Sequence, residues 1–390
     1  MTIKELTYAT QQHLQAVTGT TFKRTHIYEL LAASFGFNSY AALGTDHVFT
    51  EHSLTCRCPA KYGEQVGRRC LELGYPPEIA LQIARALPEL LTVQGIGLIH
   101  INDLVAHLRY DSGRDDWFDD SSKDDNEEDE DLDRWFDRES LLSPLLLDDL
   151  TTAAYNNNAV AHYALALLSA PSEHDIDAPS AGSDYWYNEE QQGRNLTGIQ
   201  KEWADKHAAR LELEKKWERH LRKAGELGHP DALLALAECF DDPRFFDLPY
   251  TQAPNADPAY IAEIAEQFGR PNDARYWLTE AAKQGDIEAM RELIERYDSS
   301  DLQQCWTWFY LAELHGTDLS KDDYRAYHEN GALYDDDVGG PLYVDGRDGI
   351  ELQTIEAGQD AVARHAAGEM YQALKGKTKL RFSSLGIERD

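Results

Sequence analysis

The strongest constraint on this chain is a recurring joint: an alanine-bearing helical stretch, a glycine, and at once a residue that opens another helix. It is clearest in LTEAAKQGDIEAMRELIERY (278–297) and LRKAGELGHPDALLALAECF (221–240). AAYNNNAVAHYALALL (153–168) has the same outline with asparagines at the turn, and IEAGQDAVARHAAGEMY (355–371) repeats it more weakly. Glycine after the last turn supplies the left-handed residue that stops a helix, here Gly228 or Gly285. Asp231 or Asp286 then marks the next start. Alanines spaced i, i+4 let antiparallel helices approach closely, and Trp217, Tyr276, Trp277, Trp306 and Phe309 fill the spaces between layers. One such pair cannot cover its own apolar face, so neighbours must stack. The expectation is an all-α chain whose larger part is an irregular α-solenoid.

At these joints the chain resembles Sel1-like repeats, a tetratricopeptide-related family of helix pairs. The resemblance rests first on Trp277, Ala281, Ala282, Gly285, Asp286 and Ala289, next on Trp217, Ala224, Gly228, His229, Asp231 and Ala232, and covers roughly 140–375. AYIAEIAEQFG (259–269) reads as the first member of the pair completed by NDARYWLTEAAKQG, and DLQQCWTWFYLAELHG as the helix after Tyr297. The joints are unevenly spaced, 57 residues from Gly228 to Gly285 and 73 from Gly285 to Gly358, with insertions at 171–196 and 316–350. The family's glycine-rich loop between paired helices is missing from the clearest units. What the resemblance implies is a TPR-like scaffold for protein–protein interaction, with no cofactor.

Residues 1–110 read as a helical N-terminal domain. Ile3, Leu6, Leu14 and Val17 fall at helical spacing before Gly19. Thr25 opens a second helix carrying Ile27, Leu30, Leu31 and Phe35, closed by Gly36, and Asn38 opens a short third with Tyr40 and Leu43. Residues 1–50 thus form a helix-turn-helix-like module. DNA recognition needs a basic face, whereas Lys4, Lys23 and Arg24 are balanced by Glu5, Glu29 and Asp46. KRTHIYELLAASFGFNSYAALG (23–44) resembles the short helical N-terminal module of bacterial proteins labelled glyoxalase-related. The label implies no activity, because the metal-bearing βαβββ pattern is missing. Residues 60–110 read as further helices, with Val66, Cys70 and Leu73 on one face and Ile79, Ile83 and Leu87 on another after Pro76-Pro77. Gly95 and Gly97 mark a turn before a last helix holding Ile101, Leu104 and Leu108.

The chain carries 37 Lys and Arg against 70 Asp and Glu, a net charge of −33. Direct nucleic-acid binding is therefore not expected. The field fits plain solubility, attraction to a basic protein partner, or nucleic-acid mimicry. Residues 111–139 hold fifteen acidic and four basic side chains and few apolar ones, and are expected to form an acidic disordered linker. Trp117-Phe118 and Trp135-Phe136 within it are candidate docking aromatics. Tyr185-Trp186-Tyr187, in the first insertion, is the leading partner-binding candidate, since such residues dominate interface energies. Residues 197–227 read as one long helix with eight Lys and Arg against five Asp and Glu between 201 and 223. Pairs such as Glu212–Lys216 and Glu218–Arg222 would lace it; the alternative is that the acidic linker folds back on it.

Catalytic signatures are missing: there is no GxxxxGKS/T, no GxGxxG after a strand, no GxSxG and no HExxH. The acidic loop 334–351 fails the EF-hand pattern because Gly346 follows Asp345 directly. His52, Cys56, Cys58 and Cys70 are weak candidates for a zinc site. Cys-x-Cys is an unusual spacing, however, and Cys70 lies on an apolar face. Five scattered cysteines argue against a disulfide framework. A polar N-terminus and no long apolar run point to a cytoplasmic protein without a membrane span. The expected function is a non-enzymatic scaffold or adaptor without cofactor, binding protein partners. The alternative is an acidic regulator or nucleic-acid mimic of a basic protein, antitoxin-like or part of bacterial phage defence. Residues 376–390 read as a tail, and the oligomeric state stays open.

Overall fold

The computed structural model describes residues 1–51, 59–111, 143–171, 183–328 and 342–384, which are mostly helical. It divides into two compact units, Met1–Phe245 and Phe246–Asp390. The division falls inside the span read from sequence as one repeat domain.

In the first unit, α1 (Ile3–Thr18) opens on a capping box. The Thr2 hydroxyl accepts from the Glu5 amide, and the Glu5 carboxylate accepts from the Thr2 amide at 2.8 Å. Gly19 ends it with φ 69°. Leu6 and Leu14 are buried as expected, whereas Val17 is 46% exposed. α2 (Arg24–Ala33) starts two residues earlier than the sequence indicates, with Lys23 rather than Thr25 at its cap. α3 (Tyr40–Leu43) is capped by the Ser39 hydroxyl, which accepts from the Ala42 amide at 3.1 Å, and not by Asn38.

The reading of 60–110 as helix alone fails at one place. Between α5 (Pro77–Val93) and α6 (Ile101–Asp111), Ile96–His100 forms strand β2, antiparallel to β1 (His47–Glu51) in the register His47↔His100 through Glu51↔Ile96. Ile96 to Ile99 are all buried, so their amides need partners that water cannot supply. With Gly95 already breaking α5 at φ 64°, the ladder to β1 is that partner. α4 (Gly63–Glu72) packs on α5 through Val66 and Cys70. Leu30, Leu31, Phe35, Phe49, Ile83 and Leu87 form the fully buried centre.

Helices α7 (Pro144–Tyr155), α8 (Ala159–Ser169), α9 (Ser183–Gln191), α10 (Ile199–Glu226) and α11 (Pro230–Phe240) belong to the same unit. α7 starts as read, on the Ser143 cap with Pro144 at the first position. Its next turns are fastened to the N-terminal module. Leu145 enters that core. Asp148 accepts from the Ile3 amide at 3.1 Å and Asp149 from the Phe49 amide at 2.8 Å.

The joints have the form that the sequence indicates. At α7–α8, the Asn158 amide bonds back to the Ala153 carbonyl (3.2 Å) around Asn157, at φ 62°. At α10–α11, the His229 amide bonds to the Ala224 carbonyl (3.0 Å) around Gly228, at φ 86°. These are Schellman loops. The residue that closes one helix also caps the next: the Asn158 side chain accepts from the Ala161 amide at 2.9 Å. No spare residue lets the corner open.

The second unit repeats this device. α12 (Pro258–Gln267) and α13 (Pro271–Lys283) meet at Gly269, where the Arg270 amide bonds to the Ala265 carbonyl at 2.9 Å. α13 and α14 (Ile287–Glu292) meet at Gly285, where the Asp286 amide bonds to the Ala281 carbonyl at 3.2 Å and its carboxylate accepts from the Ala289 amide at 2.9 Å. Trp277, Ala281 and Ala282 are buried there. α14 runs into a π-turn (Leu293–Tyr297) that delivers the buried Asp298 to the Trp308 indole at 2.8 Å and to Arg275 at 2.7 Å. α15 (Leu302–Leu314) follows, then a ribbon of β3 (Arg325–Tyr327) and β4 (Tyr343–Asp345), then α16 (Ala357–Ser384). The weak joint expected at Gly358 does not form. α16 begins only at Ala357, so Gly358 lies in its first turn with no helix before it to close, and it packs on α15 through Ala363 and Ala367.

Candidate interaction surfaces

The structure separates the three leading aromatics. All lie on α9, which packs along α10. Tyr187 turns towards His207, with ring centroids 5.1 Å apart, and serves that packing. Trp186 is half-buried, its ring under the Arg194 guanidinium at 5.3 Å and against Tyr185 at 5.0 Å. Tyr185 is 50% exposed. Glu189 holds Arg194 at 2.7 Å, and Lys201 bridges Glu190 (2.7 Å) and Asp205 (2.6 Å), tying the short helix to the long one. An arginine and two aromatics, partly ordered and partly wet, therefore share one surface. Arg194 had no signal in sequence; only the turn after α9 brings it over Trp186.

Trp117, Phe118, Trp135 and Phe136 lie outside the described residues, as do His52, Cys56 and Cys58. Cys70 is fully buried on the face that α4 turns to α5, and burial pushes its thiol up to about 11. Among the described residues no three histidine, cysteine or acidic side chains converge to hold a metal.

A second cluster lies where α8 faces α10 and α11. His162 Nδ1 and His220 Nδ1 are 3.1 Å apart, so one proton is shared between two rings whose residues are 58 positions apart. Burial holds both below the usual imidazole value. His220 falls to about 4, helped by His162, Arg219 and Lys216. His229 stacks on Tyr163 at 4.5 Å and lies 3.8 Å from Asp231, which also pairs with Arg109. Burial depresses His229 too, with Asp231 opposing. Asp231 is thus a partner of a buried arginine rather than a helix cap. Along α10 the charges form a solvated ladder, with Glu218–Arg222 at 2.7 Å as read; Glu212 takes Lys215 at 2.9 Å in place of Lys216.

In the second unit Tyr250 stacks on Tyr276 (3.8 Å, 13°) and donates to Asp273 at 2.7 Å. That bond is the first cause pushing its phenol up to about 12. Trp306 contacts Phe309 and Tyr310, both at 5.2 Å, and Arg364 covers Tyr310 at 3.9 Å. Trp217 meets Phe240 at 5.1 Å in the first unit. Of these, Trp217 with Phe240 joins two helices, α10 and α11, whereas Trp306, Phe309 and Tyr310 cluster along α15 itself.

No known protein family, curated protein or solved structure matches the chain. Among the described residues no helix is long and apolar enough to cross a membrane.

Proposed function

We propose that this protein is a non-enzymatic, cytoplasmic scaffold. In this reading the helix pairs of each unit stack as Sel1-like, tetratricopeptide-related repeats, and the surface of α9 holds a protein partner. The observation that carries it is the grouping of Tyr185, Trp186 and Arg194, the residue types that concentrate binding energy at interfaces, on a helix braced from behind. The tight joints support the same reading, since fixed corners keep such a surface preorganised. The test is affinity capture from the native host followed by binding of the purified partner. Tyr185→Ala/Trp186→Ala is expected to weaken binding at least about tenfold with unchanged helicity. Equal affinity of variant and wild type would sink this assignment.

The net charge of −33 favours one alternative, an acidic regulator that mimics nucleic acid towards a basic protein in an antitoxin-like or phage-defence role. The readings differ in salt dependence. A mimic releases its partner at moderate ionic strength, and an aromatic surface retains it.

A further inference from the structure

The ribbon β3–β4 is bare where the rest of the second unit is packed. Its register pairs Arg325↔Asp345, Ala326↔Val344 and Tyr327↔Tyr343. Side chains alternate along a strand, so Val344 and Leu342 share a face with Ala326 and Tyr324, while Tyr343 lies opposite. Tyr324, Leu342, Tyr343 and Val344 are 52%, 52%, 54% and 61% exposed. Among the described residues each strand has one neighbour only, so each leaves an outer edge of amides and carbonyls unpaired.

The foot of the ribbon, by contrast, is heavily built. The Arg347 amide donates to Asp323 at 2.5 Å, and the Gly349 amide donates to Asp322 at 2.8 Å. The Ile350 amide donates to the Leu319 carbonyl at 2.8 Å. The buried Arg291 donates to the Asp348 carbonyl at 3.2 Å. Two glycines make the close approach possible. A Cβ on Gly346 would stand 2.5 Å from the Tyr324 Cα, and one on Gly349 would stand 2.0 Å from the Ser320 carbonyl oxygen. A two-stranded ribbon is marginal in water by itself. Here a rigid base holds such a ribbon with its apolar side chains and its edges towards solvent. That combination is the template for strand addition.

Charge decides between occupants. Asp322, Asp323, Asp345 and Asp348 surround the ribbon against Lys321, Arg325 and Arg347, in a chain of net charge −33. A second copy would bring the same carboxylates and be repelled. An extended segment with apolar residues at alternate positions and lysine or arginine at its ends satisfies both the strip and the field. We propose that β3–β4 is a strand-addition edge for such a basic-flanked segment of a partner protein. This rests on the scaffold reading for the existence of a protein partner, but on a different surface from α9.

The probe is a synthetic peptide of alternating valine and threonine with two lysines at each end, titrated into the full chain by fluorescence anisotropy. Micromolar binding is expected, at least about tenfold tighter than that of the glutamate-ended counterpart at low salt. A peptide with alternate amides N-methylated keeps side chains and charge but cannot pair, and is expected not to bind. Leu342→Ser/Val344→Ser, which alters only exposed side chains, should weaken binding by about tenfold or more without shifting Tm. No binding at about 1 mM, or equal binding of lysine- and glutamate-ended peptides, would overturn the proposal. So would unchanged affinity of the methylated peptide, or a self-association abolished by the double variant. Tyr185→Ala/Trp186→Ala should bind the peptide like wild type. Peptide binding lost in that variant but kept in Leu342→Ser/Val344→Ser would place the peptide on α9 and refute the ribbon, and failure of the ribbon alone leaves α9 as the scaffold's surface.

Discussion

Asp149→Asn is expected to stabilise the first unit at neutral and alkaline pH, although it removes a carboxylate that caps a strand. The carboxyl is 7% exposed, lies beside Asp148, and accepts from the Phe49 amide. Burial is the largest cause of its shift, with Asp148 adding to it and the Phe49 hydrogen bond opposing, and the net effect is a rise from 3.8 to about 7. Tyr40 faces the same site and is pushed up to about 12, by burial first and Asp149 second. The folded state therefore binds a proton more tightly than the unfolded chain. Between about pH 4 and pH 7 the unfolded state has released that proton and the folded state has kept it, so this group's contribution falls as pH rises and levels off above pH 7. The shift corresponds to about 4 kcal/mol at full extent, an upper value for a site that can admit water. Asparagine keeps an oxygen for Phe49 and never ionises. Urea unfolding of wild type and variant from pH 4 to pH 8.5 should show the variant's advantage growing with pH, to between about 2 and 4 kcal/mol at the alkaline end. A constant difference across that range, or a variant less stable at pH 8, would refute the reasoning.

Three further outcomes are expected. The His162–His220 pair titrates in the opposite sense: depressed folded values mean that stability is present above the unfolded imidazole value and is lost as pH falls from about 6.5 towards 4, so His220→Gln should flatten acid destabilisation in thermal melts of the first unit. Asp298→Ala leaves the Trp308 indole buried without an acceptor and removes the buried partner of Arg275, and should cost about 2–4 kcal/mol in the second unit, read by tryptophan fluorescence. Gly285→Ala places a side chain at φ 100° with its Cβ 2.9 Å from the His315 ring, and should cost about 1–3 kcal/mol while leaving Gly269 and its joint intact by hydrogen exchange.

What the sequence by itself determined is everything decided within a few residues. A Schellman loop and an N-cap are hydrogen bonds across one turn, so Gly228, Gly285, Asp286 and the alanines before them announced their corners, and the long helix read over 197–227 is found at Ile199–Glu226. Small displacements such as Ser39 for Asn38 arise because neighbouring polar residues compete for one cap. Tertiary structure alone decided the contacts between distant positions: Phe49 with Asp149, His162 with His220, β1 with β2 and Arg194 over Trp186. It also decided that helices through Phe240 complete the first compact unit. A buried amide accepts whatever partner the packing delivers, and no local pattern records which carboxylate a hundred residues away that will be.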